Sequence, residues 1–241
     1  MYKKVQVGFT IGALSVIIKL SNRRDEQDER AVLSFVMLFF CLWISCFEKG
    51  VETQMNQKLE QMAAEPVIAA VKDEDGLQKA LESDCSTVFL LASTILNVGD
   101  LVQRIKAAGK VAVVHIDLVE GLSNREIAVD ALVQLCQPDG IISTRPGQVR
   151  RAQQLGLITV QRAFILDSMS ITGLHSQLAV GKPDFIEILP GIMPRIITEI
   201  TQSTEIPVIA GGLIKYKDEV VGAIRAGAVA VSTTCRAVWK M

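Results

Sequence analysis

Several residue types are scarce in this chain, and each scarcity excludes something. Only two histidines, His115 and His175, occur in 241 residues, which leaves little room for a histidine-based metal site. The five cysteines (Cys41, Cys46, Cys85, Cys136 and Cys235) form no CxxC pair and no even framework, so they read as reduced, mostly buried thiols of a cytosolic protein. An excess of either charge is also missing. The formal net charge is −1, which excludes a strongly basic nucleic-acid binder held by bulk electrostatics but leaves a local basic patch open. Aromatic residues make up only 5% of the chain, yet 49% is hydrophobic, far above what disordered chains carry. The length allows one large domain or two small ones with a real core.

The scarce residues are unevenly placed. Of the twelve aromatics, seven precede residue 55, while the first of the seven prolines is Pro66. Ala31–Phe47 is uncharged for 17 residues, at the short limit for a membrane span, which needs roughly 20. A polar run, Ser21–Arg30, separates it from a first apolar stretch, Val5–Leu20. It lacks the order of a signal peptide, since no small-residue cleavage site follows it. Residues 1–54 therefore have three readings: a membrane anchor, a structured extension, or a gene-model artefact with true initiation at Met55. The discontinuity in composition favours the third, an unstructured or spurious extension. From Met55 onward the chain reads as the polar start of a soluble domain, with 18 basic and 20 acidic residues.

Within residues 55–241, apolar runs of strand length recur: Val67–Val71, Thr87–Ala92, Val111–Asp117, Gly140–Thr144, Leu157–Arg162, Phe185–Leu189, Pro207–Ala210 and Ala228–Thr233. They are rich in β-branched residues and nearly continuous in hydrophobicity, which suits parallel strands covered on both faces. Helical periodicity lies between them. Asn97–Ala108 places Val98, Leu101, Val102 and Ile105 on one face, and Ser123–Gln134 opens with a Ser123-x-x-Glu126 capping box. Three helix-to-strand exits carry a glycine, at Gly109, Gly156 and Gly227, suited to the left-handed conformation that ends a helix. Eight strand–helix units predict an α/β protein, a compact (β/α)8 TIM-type barrel with minimal loops. An open doubly wound sheet is the alternative.

Function in such barrels sits at the C-terminal ends of the strands. Here those ends turn charged or hydroxylic: Lys72-Asp73, His115 to Asp117 with Glu120, Ser143 to Arg145, Gln161-Arg162, Glu187, Gly211-Gly212 and Ser232 to Thr234. Gly211-Gly212 after the seventh strand allows close backbone approach to an anion. Ser232-Thr233-Thr234 after the eighth adds hydroxyls and amides near the start of a short terminal helix. Together they predict a phosphate site; the bland reading is a tight turn and a capped helix. Asp117 and Glu187 either hold substrate hydroxyls or act as acid and base, and Arg145 and Arg162 pair with a phosphate or with those carboxylates. The bland reading is a charge network across the mouth. His115, two residues before Asp117 and on the same side of its strand, reads as a core histidine pointing into the barrel; His175 reads as a surface residue on a helix. No nucleophile elbow, no lysine inside a strand and no metal-ligand cluster is present, so no catalytic residue, metal or cofactor is expected.

The segments HIDLVEGLS (His115–Ser123), DGIISTRP (Asp139–Pro146), ITVQR (Ile158–Arg162), EILPGIMP (Glu187–Pro194), PVIAGGLI (Pro207–Ile214) and AVSTT (Ala230–Thr234), with Val238-Trp239 behind them, resemble the glycerol-3-phosphate-responsive antiterminator family. The resemblance runs from about Glu65 to Met241. It implies a cytoplasmic regulator rather than an enzyme, one that binds glycerol 3-phosphate and acts on the leader mRNA of glycerol uptake and metabolism genes. Carried over, Gly211, Gly212, Ser232 and Thr233 would hold the phosphate, and Asp117, Glu120, Arg145, Arg162 and Glu187 would line the glycerol end. The resemblance does not extend to residues 1–54, and no membrane partner is expected. Candidates for RNA contact are Arg150-Arg151, otherwise a solvated helix face, and Lys215 and Lys217; no aromatic platform is apparent among them. A homo-oligomer would merge such small patches into one surface. Two other classes stay open: an isomerase, aldolase or synthase acting on a small phosphorylated substrate through a proton-transfer pair from Asp117, Glu120 and Glu187, and a plain binding or scaffolding domain.

Overall fold

The computed structural model describes residues 55–240, and the readings of residues 1–54 lie outside the described residues. Eight parallel strands close into a barrel: β1 (Val67–Val71), β2 (Thr87–Leu90), β4 (Val111–His115), β6 (Gly140–Ser143), β7 (Ile158–Phe164), β8 (Phe185–Leu189), β9 (Val208–Gly211) and β10 (Ala230–Thr233). Val67 of β1 pairs with Val231 of β10, which closes the ring and excludes the open sheet. Two short strands, β3 (Ser93–Thr94) and β5 (Val119–Glu120), pair with each other in the loops that follow β2 and β4.

Strand alternation sorts the core into two layers. Residues facing inward form one cluster drawn from all eight strands, with Phe89 and Phe185 as its largest members and Ile68, Val113, Val160, Ile209 and Ala230 among the rest. The intervening residues face the helices and join the larger outer cluster. A helix at residues 55–64, α1, covers the N-terminal end of the barrel. Its Met62 is buried among the inward-facing residues, Met55 and Leu59 pack on the same cluster, and Lys58 pairs with Asp139 at 2.6 Å.

Seven helices follow in turn: α2 (Glu74–Leu81), α3 (Val98–Ala107), α4 (Ile127–Cys136), α5 (Pro146–Gln154), α6 (Ser168–Gly181), α7 (Pro194–Ser203) and α8 (Lys217–Arg225). The expected apolar face of α3 is borne out, since Val98, Leu101, Val102 and Ile105 are all buried. The three glycine exits adopt positive φ, at 75°, 70° and 107°. The capping box predicted at Ser123 and Glu126 does not form. Helix α4 starts at Ile127, too late for Ser123 to cap it, and Glu126 pairs with Arg150 at 2.9 Å. The expected terminal helix is only a three-residue 3₁₀ turn, Val238–Lys240. Trp239 there is buried, and its indole N–H donates to the Thr233 carbonyl at 2.8 Å, tying the chain end to β10. His175 lies on α6 and is exposed, as expected.

Candidate ligand pocket at the barrel mouth

Following each strand two residues beyond its last inward apolar position gives the layer that faces the mouth: Lys72, Leu91, His115, Thr144, Arg162, Glu187, Gly211 and Ser232. Three of these make the floor of a pocket. Glu187 is fully buried; the Arg162 guanidinium donates to one of its oxygens at 2.6 Å, and the Ser232 hydroxyl donates to the other. Register explains how they meet. Arg162 pairs directly with Glu187 across β7 and β8, while Ser232 must reach Glu187 past β9. The residue it passes is Gly211. A Cβ there would lie 2.6 Å from the Glu187 carboxylate and 2.9 Å from the Ser232 hydroxyl. Gly211 thus clears space for a side-chain bond, which is a different task from the backbone approach to an anion read from the sequence.

Above this floor lies a cavity of about 390 Å³. Arg162, Glu187 and Ser232 form its base, Leu91 and Leu189 its apolar walls, and two segments its rim: Gly212 to Lys215 and Thr233 to Cys235. Gly212 and Leu213 both take positive φ, 74° and 63°. The amides of Gly212, Leu213 and Thr234 make no hydrogen bond among the described residues. The Gly191 amide crosses from the β8 loop to the Gly211 and Gly212 carbonyls, at 2.6 and 3.2 Å. Only glycine fits that crossing, since a Cβ at Gly191 would lie 2.8 Å from the Gly211 nitrogen. Thr233 lines the cavity, but its hydroxyl is engaged: it donates to the Ile214 carbonyl at 2.6 Å and accepts the Cys235 amide at 3.0 Å.

The other predicted residues lie elsewhere on the mouth. Asp117 sits in a 3₁₀ turn, Ile116–Leu118, beyond the end of β4, so it does not share a strand face with His115 as alternation suggested. Its carboxylate accepts the Ser143 hydroxyl (2.9 Å), the Thr144 amide (2.7 Å), the Thr144 hydroxyl (2.8 Å) and the Arg145 guanidinium (2.7 Å). Burial pushes its pKa up, but the Thr144 and Ser143 donors outweigh burial and hold it below the ordinary value. Neither Asp117 nor Arg145 lines the Arg162–Glu187 cavity. Glu120, on β5, is exposed and opens onto a separate cleft beside Lys72 and Asp73. His115 points into the barrel and is buried, as read from the sequence. Its Nδ1 has no hydrogen-bond partner, and burial, with the Arg162 charge second, lowers its pKa to about 4.

The four basic candidates do not form one surface. Arg150 and Arg151 lie on α5 and pair with Glu126 (2.9 Å) and Asp130 (2.5 Å). Lys215 lies in the β9–α8 loop and Lys217 opens α8, with two helices intervening between it and α5. Between the two lysines stands Tyr216, an aromatic residue that is 65% exposed. The local signal was a Lys-Tyr-Lys triplet just behind Gly-Gly. Leu213, Ile214 and Cys235 are cavity residues that sequence reasoning missed; their apolar and thiol side chains carry no chemical signal. Among the described residues no cluster of His, Cys, Asp and Glu has metal-site geometry.

The profile of the glycerol-3-phosphate-responsive antiterminators matches residues 67–239, the whole barrel from β1 to the terminal turn. The chain belongs to that family. This chain is 42% identical over 183 residues to the Escherichia coli protein YgcP, covering 76% of this chain and 96% of that one. A crystal structure of the glycerol uptake operon antiterminator regulatory protein of Listeria monocytogenes is 37% identical, with a TM-score of 0.71, over 73% of this chain and 95% of that chain. A glycerol uptake operon antiterminator-related protein of Thermotoga maritima is 32% identical, with a TM-score of 0.65, over 73% and 99%. All three alignments leave about a quarter of this chain unmatched.

Proposed function

We propose that this antiterminator senses glycerol 3-phosphate in the β8–β10 cavity and, in response, acts on the leader mRNA of glycerol uptake genes. The cavity itself carries the reading. Its rim offers a phosphate Lys215 and three amides that make no hydrogen bond among the described residues, and its base offers Arg162 and Ser232 to a short polyol. A volume of about 390 Å³ falls within the range of small-molecule sites. The predicted phosphate set of Gly211, Gly212, Ser232 and Thr233 contributes through backbone and packing more than through hydroxyls. Of the predicted glycerol-end residues, Arg162 and Glu187 are the ones at the cavity. An enzymatic reading would use Glu187 to move a proton, but both its oxygens are engaged by Arg162 and Ser232.

Thermal unfolding of the full chain, titrated with glycerol 3-phosphate, glycerol and inorganic phosphate, tests the ligand. At a hundred dissociation constants of ligand the stabilisation is about 2.7 kcal/mol, which raises the midpoint by roughly 5–11 °C. Glycerol 3-phosphate should produce that shift, phosphate less of it, and glycerol none. No shift at millimolar glycerol 3-phosphate would remove the proposed site.

A further inference from the structure

The loop joining β9 to α8 faces the cavity on one side and solvent on the other. Gly212, Leu213, Ile214 and Lys215 line the cavity in succession, and the next residue is the exposed Tyr216. The loop is pinned where it meets its neighbours. The Thr233 hydroxyl donates to the Ile214 carbonyl at 2.6 Å, and the Glu219 carboxylate accepts the amides of Lys215 and Tyr216 at 2.7 and 3.0 Å. Between the pins and the strand lies Leu213, a non-glycine residue with φ 63° that is 62% exposed. That conformation costs an L-residue free energy, and the pins on its C-terminal side hold it in place. Across the mouth Phe164, 53% exposed, ends β7; its partner on β8 is Leu189, which walls the same cavity.

An exposed ring beside lysines suits a single-stranded nucleic acid. Unpaired bases stack on aromatic faces, and ammonium groups meet the backbone phosphates. Resting on the ligand reading above, we propose that the Gly212–Lys217 loop is one device with two faces. Its inner face, Gly212 to Lys215, holds the bound phosphate; its outer face stacks an unpaired RNA base on Tyr216 and meets an RNA phosphate with Lys217. Phosphate bound to the inner face fixes the backbone from which Tyr216 projects, so the ligand strengthens RNA binding. This arrangement needs no broad basic surface, in keeping with a near-neutral domain.

The test is fluorescence anisotropy of a labelled, random-sequence single-stranded RNA pool with the full chain, with and without saturating glycerol 3-phosphate. The ligand's thermal shift is measured on the same samples. Ligand should tighten RNA binding by about fivefold or more. Tyr216→Ala should weaken it by roughly tenfold, with the thermal shift unchanged, and Tyr216→Phe should keep wild-type affinity. Lys217→Gln should weaken binding and flatten its salt dependence by about one phosphate contact. A normal thermal shift with RNA affinity unchanged in Tyr216→Ala overturns the inference, as does a normal shift with no RNA binding by the wild type. Absence of the thermal shift removes the ligand reading and this inference with it.

Discussion

On the β4–β6 side of the mouth, Asp117 is surrounded by donors: two hydroxyls, an amide and a guanidinium meet its two oxygens. On the β7–β10 side, Glu187 also has both oxygens occupied, yet an open cavity stands directly above it. Both clusters join a carboxylate to an arginine and a serine. The difference is in the backbone around them. Asp117 is clasped by the segment running straight into α5, and it lies outside the cleft that Arg145, Gly147 and Gln148 line with Asn124 to Ile127. Beside Glu187 three glycines, Gly191, Gly211 and Gly212, remove side chains and leave the rim open. Identical side-chain chemistry therefore braces one side of the mouth and furnishes a pocket on the other.

Three experiments bear on that contrast. The largest effect is expected from Glu187→Ala. It strands the buried Arg162 charge and should cost about 3–5 kcal/mol in urea unfolding, with the ligand-induced thermal shift lost. A loss below about 1 kcal/mol would mean that Arg162 escapes to water and that the pair is not a true floor. Next comes pH. The unfolded chain protonates His115 near pH 6.5, whereas the folded chain resists until about pH 4. Stability is therefore intact above pH 6.5 and falls toward pH 4, by about 3 kcal/mol in all. The depressed Asp117 pKa adds a further loss at the acid end of the range, in the same direction. His115→Asn should remove most of the decline between those values; a variant with an unchanged slope would assign the proton elsewhere. The smallest effect is expected from Asp117→Asn, about 1–2 kcal/mol of stability with the glycerol 3-phosphate shift intact. A lost shift would move the ligand to the other side of the mouth.

The barrel was readable from the chain because its strands are short, β-branched and covered on both faces, and because glycine marks three helix exits. Readability ended where two local rules competed. Ser123 and Glu126 have capping-box spacing, but the helix begins only at Ile127, and Glu126 pairs with Arg150 on the next helix. His115 and Asp117 have strand spacing, but β4 stops between them. The terminal helix contracts to one turn because Val238 and Trp239 are drawn into the outer core and Trp239 is bonded to Thr233. At the pocket, Arg162, Glu187, Gly212 and Ser232 were legible as polar or glycine residues at strand ends. Tyr216 carries no such signal, because a lone aromatic between two lysines reads equally well as a core residue until its exposure is known.

What the linear pattern settles is the alternation of strands and helices, the end of the barrel that carries polar groups, and the family to which the motifs belong. These depend on periodicity and residue type, which are local. Which carboxylate faces a cavity depends on register around a closed ring. The missing side chain at Gly211 lets Ser232 reach Glu187 across an intervening strand, a relation between residues 45 positions apart that no local rule contains.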